Sequence, residues 1–396
     1  MDTPVVLFGA FDRHNLGDLM FPHIAQAMLG DVLVRFAGLA ARDLRDVGGH
    51  RVEAIGELIA GWGDGPATLV HVGGETLTCP AFEAAVMLLD ARELPPLLAH
   101  FAAQPEERAA WARRCTGVDS PAPYVLSRRD WPGLGRVVHA GVGGVDLDRI
   151  DAPLRDAVLA RLREADAIAV RDLRTQAALR RHGLDAALMP DPAVLVAELF
   201  GPRIARHGCD GEPAAVRAAF PRGYLAVQCS ALFADDATLD SLAAALARVQ
   251  ADRGLGVVLL RAGAAPWHDD LAVLRRLAAR LEATSTRLAG TLDIWDLCAL
   301  IAGSVATIGS SLHARIVAGA CGRPCVSLQP SGDVERIRKI DAWVETWEPT
   351  AAFPVTTPGR LGAALHTALD ADPAALREQA RNLAQRCRDG FAALRA

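Results

Sequence analysis

Short apolar runs recur along this chain. Each gives way to a longer stretch in which Ala, Leu and Arg fall at helical spacing. Such alternation predicts parallel sheets with crossover helices, because parallel strands need a long connection between them. In the first half, strands are expected at 5–8, 32–36, 68–72, 137–140, 167–170 and 187–189. Helices are expected between them near 19–29, 81–89, 153–164 and 174–182. Residues 115–135 have no periodicity and read as a long loop. The segment 201–223 mixes Gly, Pro and charge, and is expected to mark a domain boundary. A second alternation follows, with strands at 224–228, 256–261, 307–309 and 325–328 and helices near 237–252, 269–283 and 311–320. Beyond Lys339 the chain turns Trp- and Pro-rich, then ends in two helical stretches, 359–370 and 373–394. The expected organisation is α/β: a Rossmann-like domain over 1–205, a second over 220–345, and a C-terminal segment over 346–396. Ligands of parallel sheets gather beyond the carboxyl ends of the strands. Two such sheets facing each other would share one cleft, so the residues just after strands are the ones to inspect.

Composition removes several function classes. A net charge of −5 leaves no broad basic surface for nucleic acid. Lys339 is the only lysine, so Schiff-base chemistry has one candidate and an anion site is expected from Arg, His and backbone N–H groups. The eight cysteines contain no CxxC, and Cys321 and Cys325, the closest pair, have no second pair nearby to complete a zinc site. Free thiols point to a reducing cytoplasm. The start, MDTPVVLFGAFD, lacks the basic and long apolar regions of a signal peptide. The longest uncharged run, 297–312, is too short to span a membrane. Cytoplasmic residence is the expectation.

Five stretches after strands could carry chemistry. In GAFDRHNLGDLMF (9–21), Asn15 and Gly17 make a turn, Asp18 opens a helix, and Asp12, Arg13 and His14 crowd the same junction. This is not GxGxxG, and Asn-x-Gly-Asp is also ordinary turn and cap chemistry. HVGGETL (71–77) and HAGVGGVDL (139–147) place Gly pairs after strands and leave Glu75 and Asp146 at the strand tips. In IAVRDLRTQAAL (168–179), Asp172 is a helix cap. Arg171 would stand at the rim, either gripping an anion or paired with a local acid such as Asp166. Asp191 of PDP ends the next strand.

The most informative stretch is SVATIGSSLHARIVAGACGRPCVSL (304–328), which reads as strand, Ser-rich turn, helix, Gly stop, strand. Ser310 or Ser311 caps the helix, and Leu312 with Ile316 faces the sheet. His313 lies in the first turn, beside unbonded backbone N–H groups and the positive end of the helix dipole. That setting favours neutral imidazole and makes an anion site.

Taken together, N-x-GD, VGGE, VRD…HG…PDP and SSLHARIVAGACGRPCVSL resemble the polysaccharide pyruvyl transferase family, across most of 1–330. The resemblance implies a GT-B-like fold with the terminal helices returning to the N-terminal domain. It implies phosphoenolpyruvate as donor substrate, without a further cofactor or a metal. The acceptor it implies is a sugar of a surface glycan or exopolysaccharide, or a lipid-linked oligosaccharide precursor, with peripheral association with membrane-bound glycan assembly machinery. It maps the donor site onto His313, Leu312 and Ser311, and an anion-binding arginine onto Arg171. Some members carry Arg where this chain has Ser311, and Arg315 and Arg261 are candidates to compensate.

Forming a ketal from an enol phosphate needs a proton at the methylene carbon, two hydroxyl additions at the neighbouring carbon and loss of phosphate. It therefore needs an acid, a base and fixed positive groups. On this reading Arg171 and the Ser310–His313 turn hold the donor, His313 supplies the proton, and Asp18 or Glu75 serves the acceptor. Two other readings remain open: a nucleotide-sugar glycosyltransferase, with Glu335 on the ribose, and a non-catalytic glycan-binding or assembly protein. The Trp343–Trp347 stretch is either a sugar platform or core packing.

Overall fold

A computed structural model describes residues 4–63, 65–90, 92–331, 337–348 and 353–395. The chain divides into two compact units. Unit 1 comprises Met1–Pro192 with Arg386–Ala396, and unit 2 comprises Ala193–Gln385.

In unit 1 the strands are β1 (Val5–Phe8), β2 (Val34–Gly38), β3 (Arg42–Asp43), β4 (Arg51–Ala54), β5 (Ala67–Val72), β6 (Leu134–Val142), β7 (Ala167–Val170) and β8 (Ala187–Leu188). Its helices are α1 (Leu16–Leu29), α2 (Ile55–Ala60), α3 (Ala81–Val86), α4 (Leu94–Ala103), α5 (Glu107–Thr116), α6 (Ala152–Leu162) and α7 (Leu173–Arg181). The sheet order is β3-β4-β2-β1-β5-β6-β7-β8, parallel except for the β3–β4 pair. Alternation along the strands sends Val6, Phe8, Leu69 and Val137 to one core and Val142 and Val170 to another.

Unit 2 opens with α8 (Val196–His207) and α9 (Gly211–Ala219). Its strands are β9 (Tyr224–Val227), β10 (Gly256–Leu259), β11 (Thr286–Leu288), β12 (Ala306–Gly309), β13 (Cys325–Leu328) and β14 (Val355–Thr356). Its helices continue with α10 (Asp236–Arg253), α11 (Leu271–Ala278), α12 (Ile294–Gly303), α13 (Leu312–Ala320), α14 (Arg338–Trp347), α15 (Leu361–Leu369) and α16 (Pro373–Arg395). All neighbours in the order β11-β10-β9-β12-β13-β14 are parallel. Both sheets are thus doubly wound, reversing direction of travel beside their first strand. No helix among the described residues is long and apolar enough to cross a membrane.

The division between the units differs from the expected boundary. It falls at Pro192 and not within 201–223, which forms most of α8 and α9. These helices pack on α12: the Phe200 ring meets Trp295 at 5.1 Å, and Arg203 stacks over the same indole at 4.1 Å. Glu212 accepts N–H groups from Gly290 and Thr291. The Gly and Pro residues that suggested a linker sit at helix ends or are tolerated inside α8, as Pro202 is. The terminal helix α16 begins among the residues of unit 2 and ends among those of unit 1, where Arg136 donates to the carbonyls of Leu394 and Arg395.

The irregular stretch 117–133 is present, but it is packed: Tyr124, Val125, Leu126 and Trp131 are core residues, and the Leu126 N–H donates to His71 Nε2 at 3.1 Å. Trp343 and Trp347 are likewise buried, so core packing is their role.

Candidate functional site

In each unit the switch point lies where the sheet reverses, between β1 and β5 and between β9 and β12. Ligands of open parallel sheets bind in that crevice, past the carboxyl ends of the strands. The sequence-predicted residues gather at these two edges, each described within its own unit.

At the unit 2 edge, β12 runs out at Gly309 and the chain turns through Ser310 and Ser311 into α13. Ser311 is the cap: its backbone is extended and its Oγ accepts the Ala314 N–H at 3.2 Å. Leu312 packs into the core, and His313 stands in the first turn, 9% exposed. Two residues here escaped the sequence reading. Gln228, the first residue past β9, is buried, and its Oε1 accepts the N–H groups of Ser310 and Ser311, both at 2.8 Å. Its Nε2 donates to Asp269, whose other oxygen accepts the Ala262 N–H at 2.6 Å and the Gly263 N–H at 3.3 Å. Burial pushes the Asp269 carboxyl up to about 6, against the pull of these hydrogen bonds. The two serine amides expected to receive an anion are therefore taken by Gln228.

Arg315 differs from expectation. It is 1% exposed, and each guanidinium nitrogen has a partner: Glu348 Oε2 at 2.6 Å, Ser327 Oγ at 2.7 Å and the Phe353 carbonyl at 2.7 Å. Two positions after His313 on a helix lies the face turned roughly away from it, here toward β13 and α14. Arg315 ties that side of the unit together and, buried with every nitrogen engaged, offers no open face to a phosphate.

At the unit 1 edge, Asn15 caps α1, its Oδ1 accepting the Gly17 N–H at 3.3 Å. Asp18 is buried in the first turn with the Arg13 guanidinium 3.9 Å away. Arg13 also donates to the Tyr124 hydroxyl and lies over its ring. The glycine pair after β5 has a geometric reason. Gly73 is left-handed (φ 60°), and a Cβ there would stand 2.5 Å from the Phe21 ring of α1.

Arg171 also departs from expectation: it is 2% exposed, not at a rim. Its Nη1 donates to Asp191 Oδ2 at 2.9 Å and its Nη2 to Glu75 Oε2 at 2.5 Å. The strand-tip acids of neighbouring loops, not Asp166, are its partners; Asp166 pairs with Arg128 at 2.7 Å. The reason is sheet order, which sets the ends of β7 and β8 side by side, with a glycine closing the gap from β6. A Cβ on Gly143 would fall 2.6 Å from both Arg171 Nε and Glu75 Oε2. Burial opposes the charge of Arg171, but Glu75 and Asp191 more than restore it. Glu75 is the reverse: burial, with the Asp172 charge adding to it, raises its carboxyl despite Arg171 and the Val145 N–H. Asp172 caps α7 as expected, accepting the Thr175 N–H at 2.7 Å.

Other polar groups are structural. His71 and His139 stack at 4.0 Å in the core, and burial pulls His71 down to about 4. Among the described residues, one group has metal-ligand character: His207, Asp293 and Asp296. Its atoms serve the fold, since Asp293 caps α12 and Asp296 accepts from His207 at 2.7 Å and from Thr291. Glu335 lies outside the described residues.

This architecture, two doubly wound units each with a polar switch-point edge, places the chain in the GT-B fold class. UDP-GlcNAc 2-epimerase from Neisseria meningitidis matches with a TM-score of 0.56 at 10% identity, covering 99% of each chain. UDP-N-acetylglucosamine 2-epimerase from Rickettsia bellii matches with a TM-score of 0.55 at 11% identity, covering 99% of this chain and 96% of its own. MnaA of S. aureus, solved with UDP, matches with a TM-score of 0.55 at 13% identity, covering 100% and 94%. At such identities the likeness is one of fold. The family is more specific: residues 145–332 match the polysaccharide pyruvyl transferase family, a span that takes in Arg171 and the whole β12–α13–β13 segment. No curated protein matches the chain.

Proposed function

We propose that this protein is a pyruvyl transferase that moves the three-carbon unit of phosphoenolpyruvate onto two hydroxyls of a sugar, as a ketal. The observation that carries the reading is the turn into α13. It lies at the switch point of unit 2 and inside the family match, and it presents a capped helix start with His313 in its first turn.

The chemistry asks for little else. A proton adds to the methylene carbon, and the adjacent carbon, now cationic in character, takes the first sugar hydroxyl. That hydroxyl loses its proton, the C–O bond to phosphate breaks, and the second hydroxyl adds to the same carbon and loses its proton to close the ketal. Of the two hydroxyl protons, one replaces the proton given to the methylene carbon and the other leaves with the phosphate. His313 delivers the proton to the methylene carbon, and the helix dipole stabilises the phosphate as its charge grows. Glu75, held protonation-prone by burial and by the Asp172 charge despite Arg171, suits the exchange of a hydroxyl proton; Asp18 orients the acceptor. Arg171 acts through Glu75 by fixing its carboxylate. The acceptor belongs to a surface or exopolysaccharide, free or lipid-linked, handled in the cytoplasm beside membrane-bound assembly machinery.

Phosphate release from phosphoenolpyruvate with a panel of sugar acceptors tests this. Turnover in the wild type, reduced by roughly 10²–10⁴-fold in His313→Ala, is the expected result. A wild type that consumes no phosphoenolpyruvate but binds a UDP- or GDP-sugar would move the chain to the glycosyltransferases. Glycan binding without turnover would make it a binding protein.

A further inference from the structure

The arginines near the two switch-point edges are not equivalent. Arg13 holds Tyr124 and lies near Asp18, Arg171 holds Glu75 and Asp191, and Arg315 holds Glu348, Ser327 and the Phe353 carbonyl. Arg261, two residues past β10, stands apart. Its Nε, like that of Arg13, is shut off from solvent with no hydrogen-bond partner among the described residues, but Arg13 keeps Tyr124 through another nitrogen and Arg261 has no such contact there. Asp269 feels its charge, but the Asp269 oxygens are occupied by the Ala262 and Gly263 amides and by Gln228. A buried donor left unpaired costs about 1–3 kcal/mol, and more when charged. Native proteins keep few, and each has a reason, such as strain, a catalytic role, or a bound water or ion.

The sheet register says what such a ligand would meet. Leu259 of β10 is level with Val227 of β9, which is level with Ile308 of β12. Arg261 and Ser310 therefore each stand two residues beyond the same line, two strand spacings apart, about 10 Å. An extended arginine and an anion fill such a gap. Between them lies Ser230, whose N–H donates to Ser310 Oγ at 3.3 Å and whose own Oγ is buried with no partner among the described residues. The spacing is fixed. Asp269 grips the amides that follow Arg261, Gln228 grips Asp269, and the same Gln228 side chain grips the Ser310 and Ser311 amides. One buried amide–carboxylate clamp thus locks the loop of Arg261 to the turn of α13.

We propose that Arg261 binds the phosphate of the donor at this edge, with Ser230 Oγ beside it, and that Gln228 and Asp269 are positioning residues that hold the arginine at the right distance from the head of α13. The proposal rests on the pyruvyl-transfer reading. Titration calorimetry on the full chain tests it, with phosphoenolpyruvate, inorganic phosphate and pyruvate as probes. Arg261→Gln should weaken phosphoenolpyruvate and phosphate by about tenfold or more, the worth of one charge-assisted contact, and leave pyruvate unchanged. Arg261→Lys should recover part of the loss. Gln228→Ala should weaken the same two probes with Arg261 intact. Thermal melts of each variant without ligand establish that it is folded. Wild-type phosphate affinity in folded Arg261→Gln, with phosphoenolpyruvate bound by the wild type, would overturn the Arg261 assignment and leave pyruvyl transfer standing. A wild type that binds neither phosphoenolpyruvate nor phosphate would overturn both.

Discussion

Replacing Arg171 with methionine keeps most of the side-chain volume and removes its charge. Asp191, wholly buried, then loses the Nη1 contact at 2.9 Å, and Glu75, a quarter exposed, loses the contact at 2.5 Å. Removing one partner of a buried ion pair costs about 3–5 kcal/mol, because the other charge is left in a poor solvent. Asp191 should account for most of this; Glu75 keeps the Val145 N–H and some water. Against a typical domain stability of about 5–15 kcal/mol, unit 1 would lose roughly a fifth or more. The loss has a pH signature. In the variant, both carboxyls bind protons more readily in the folded state than in the unfolded chain. Their penalty is therefore complete at neutral pH and shrinks as pH falls through the raised folded values. Hydrogen exchange read on unit 1 peptides, at pH 7 and pH 5, measures both effects. Arg171→Met/Asp191→Asn/Glu75→Gln should regain much of the stability. A variant as stable as wild type at pH 7, or one whose deficit is the same at pH 5, would refute this account. A binding defect in any Arg171 variant is meaningful only after this measurement, since a partly unfolded unit 1 would mimic it.

Two further outcomes follow from unit 2. The Asp269 carboxyl carbon should titrate near pH 6 by NMR, and not near 4. Since the folded value lies above the unfolded one, its contribution to stability is full below about pH 4 and lost as pH rises through about 6, at most about 3 kcal/mol. Trp267 is half exposed and is the one non-glycine residue with positive φ (62°) among those described. Trp267→Gly should relieve strain on the order of 1 kcal/mol and raise the melting temperature slightly; a clear fall would show that the indole holds its loop.

Much of this was written in local sequence. Periodicity located the central strands to within a residue or two, since a buried parallel strand reads as an unbroken apolar run: Val5–Phe8, Ala167–Val170 and Cys325–Leu328 all fall on the expected ranges. The helix α13 was legible too, its cap narrowed to Ser310 or Ser311, of which the structure has Ser311. Short edge strands such as β3, β11 and β14 were not, because two or three residues carry no period. Nor were α8 and α9, whose Pro and Gly mimic a linker. The site was half legible. Which loop holds an arginine could be read, but not what the arginine faces: Arg171 meets Asp191 and Arg315 meets Glu348 only because the sheet sets distant loops side by side. Gln228 escaped because a single amide after a strand has no motif.

The division of the chain also bears on its synthesis. Unit 1 draws on the first 192 residues and on the last turns of α16, where Cys387, Phe391 and Leu394 are buried and Gly390 lies against Met189. On the ribosome, the first unit to emerge is the last to be finished. Unit 2 can complete its core while unit 1 waits, its Met189 surface uncovered, for the residues from Arg386 onward. A chain cut before Arg386 should thus betray itself to proteases and chaperones through unit 1, far along the sequence from the cut.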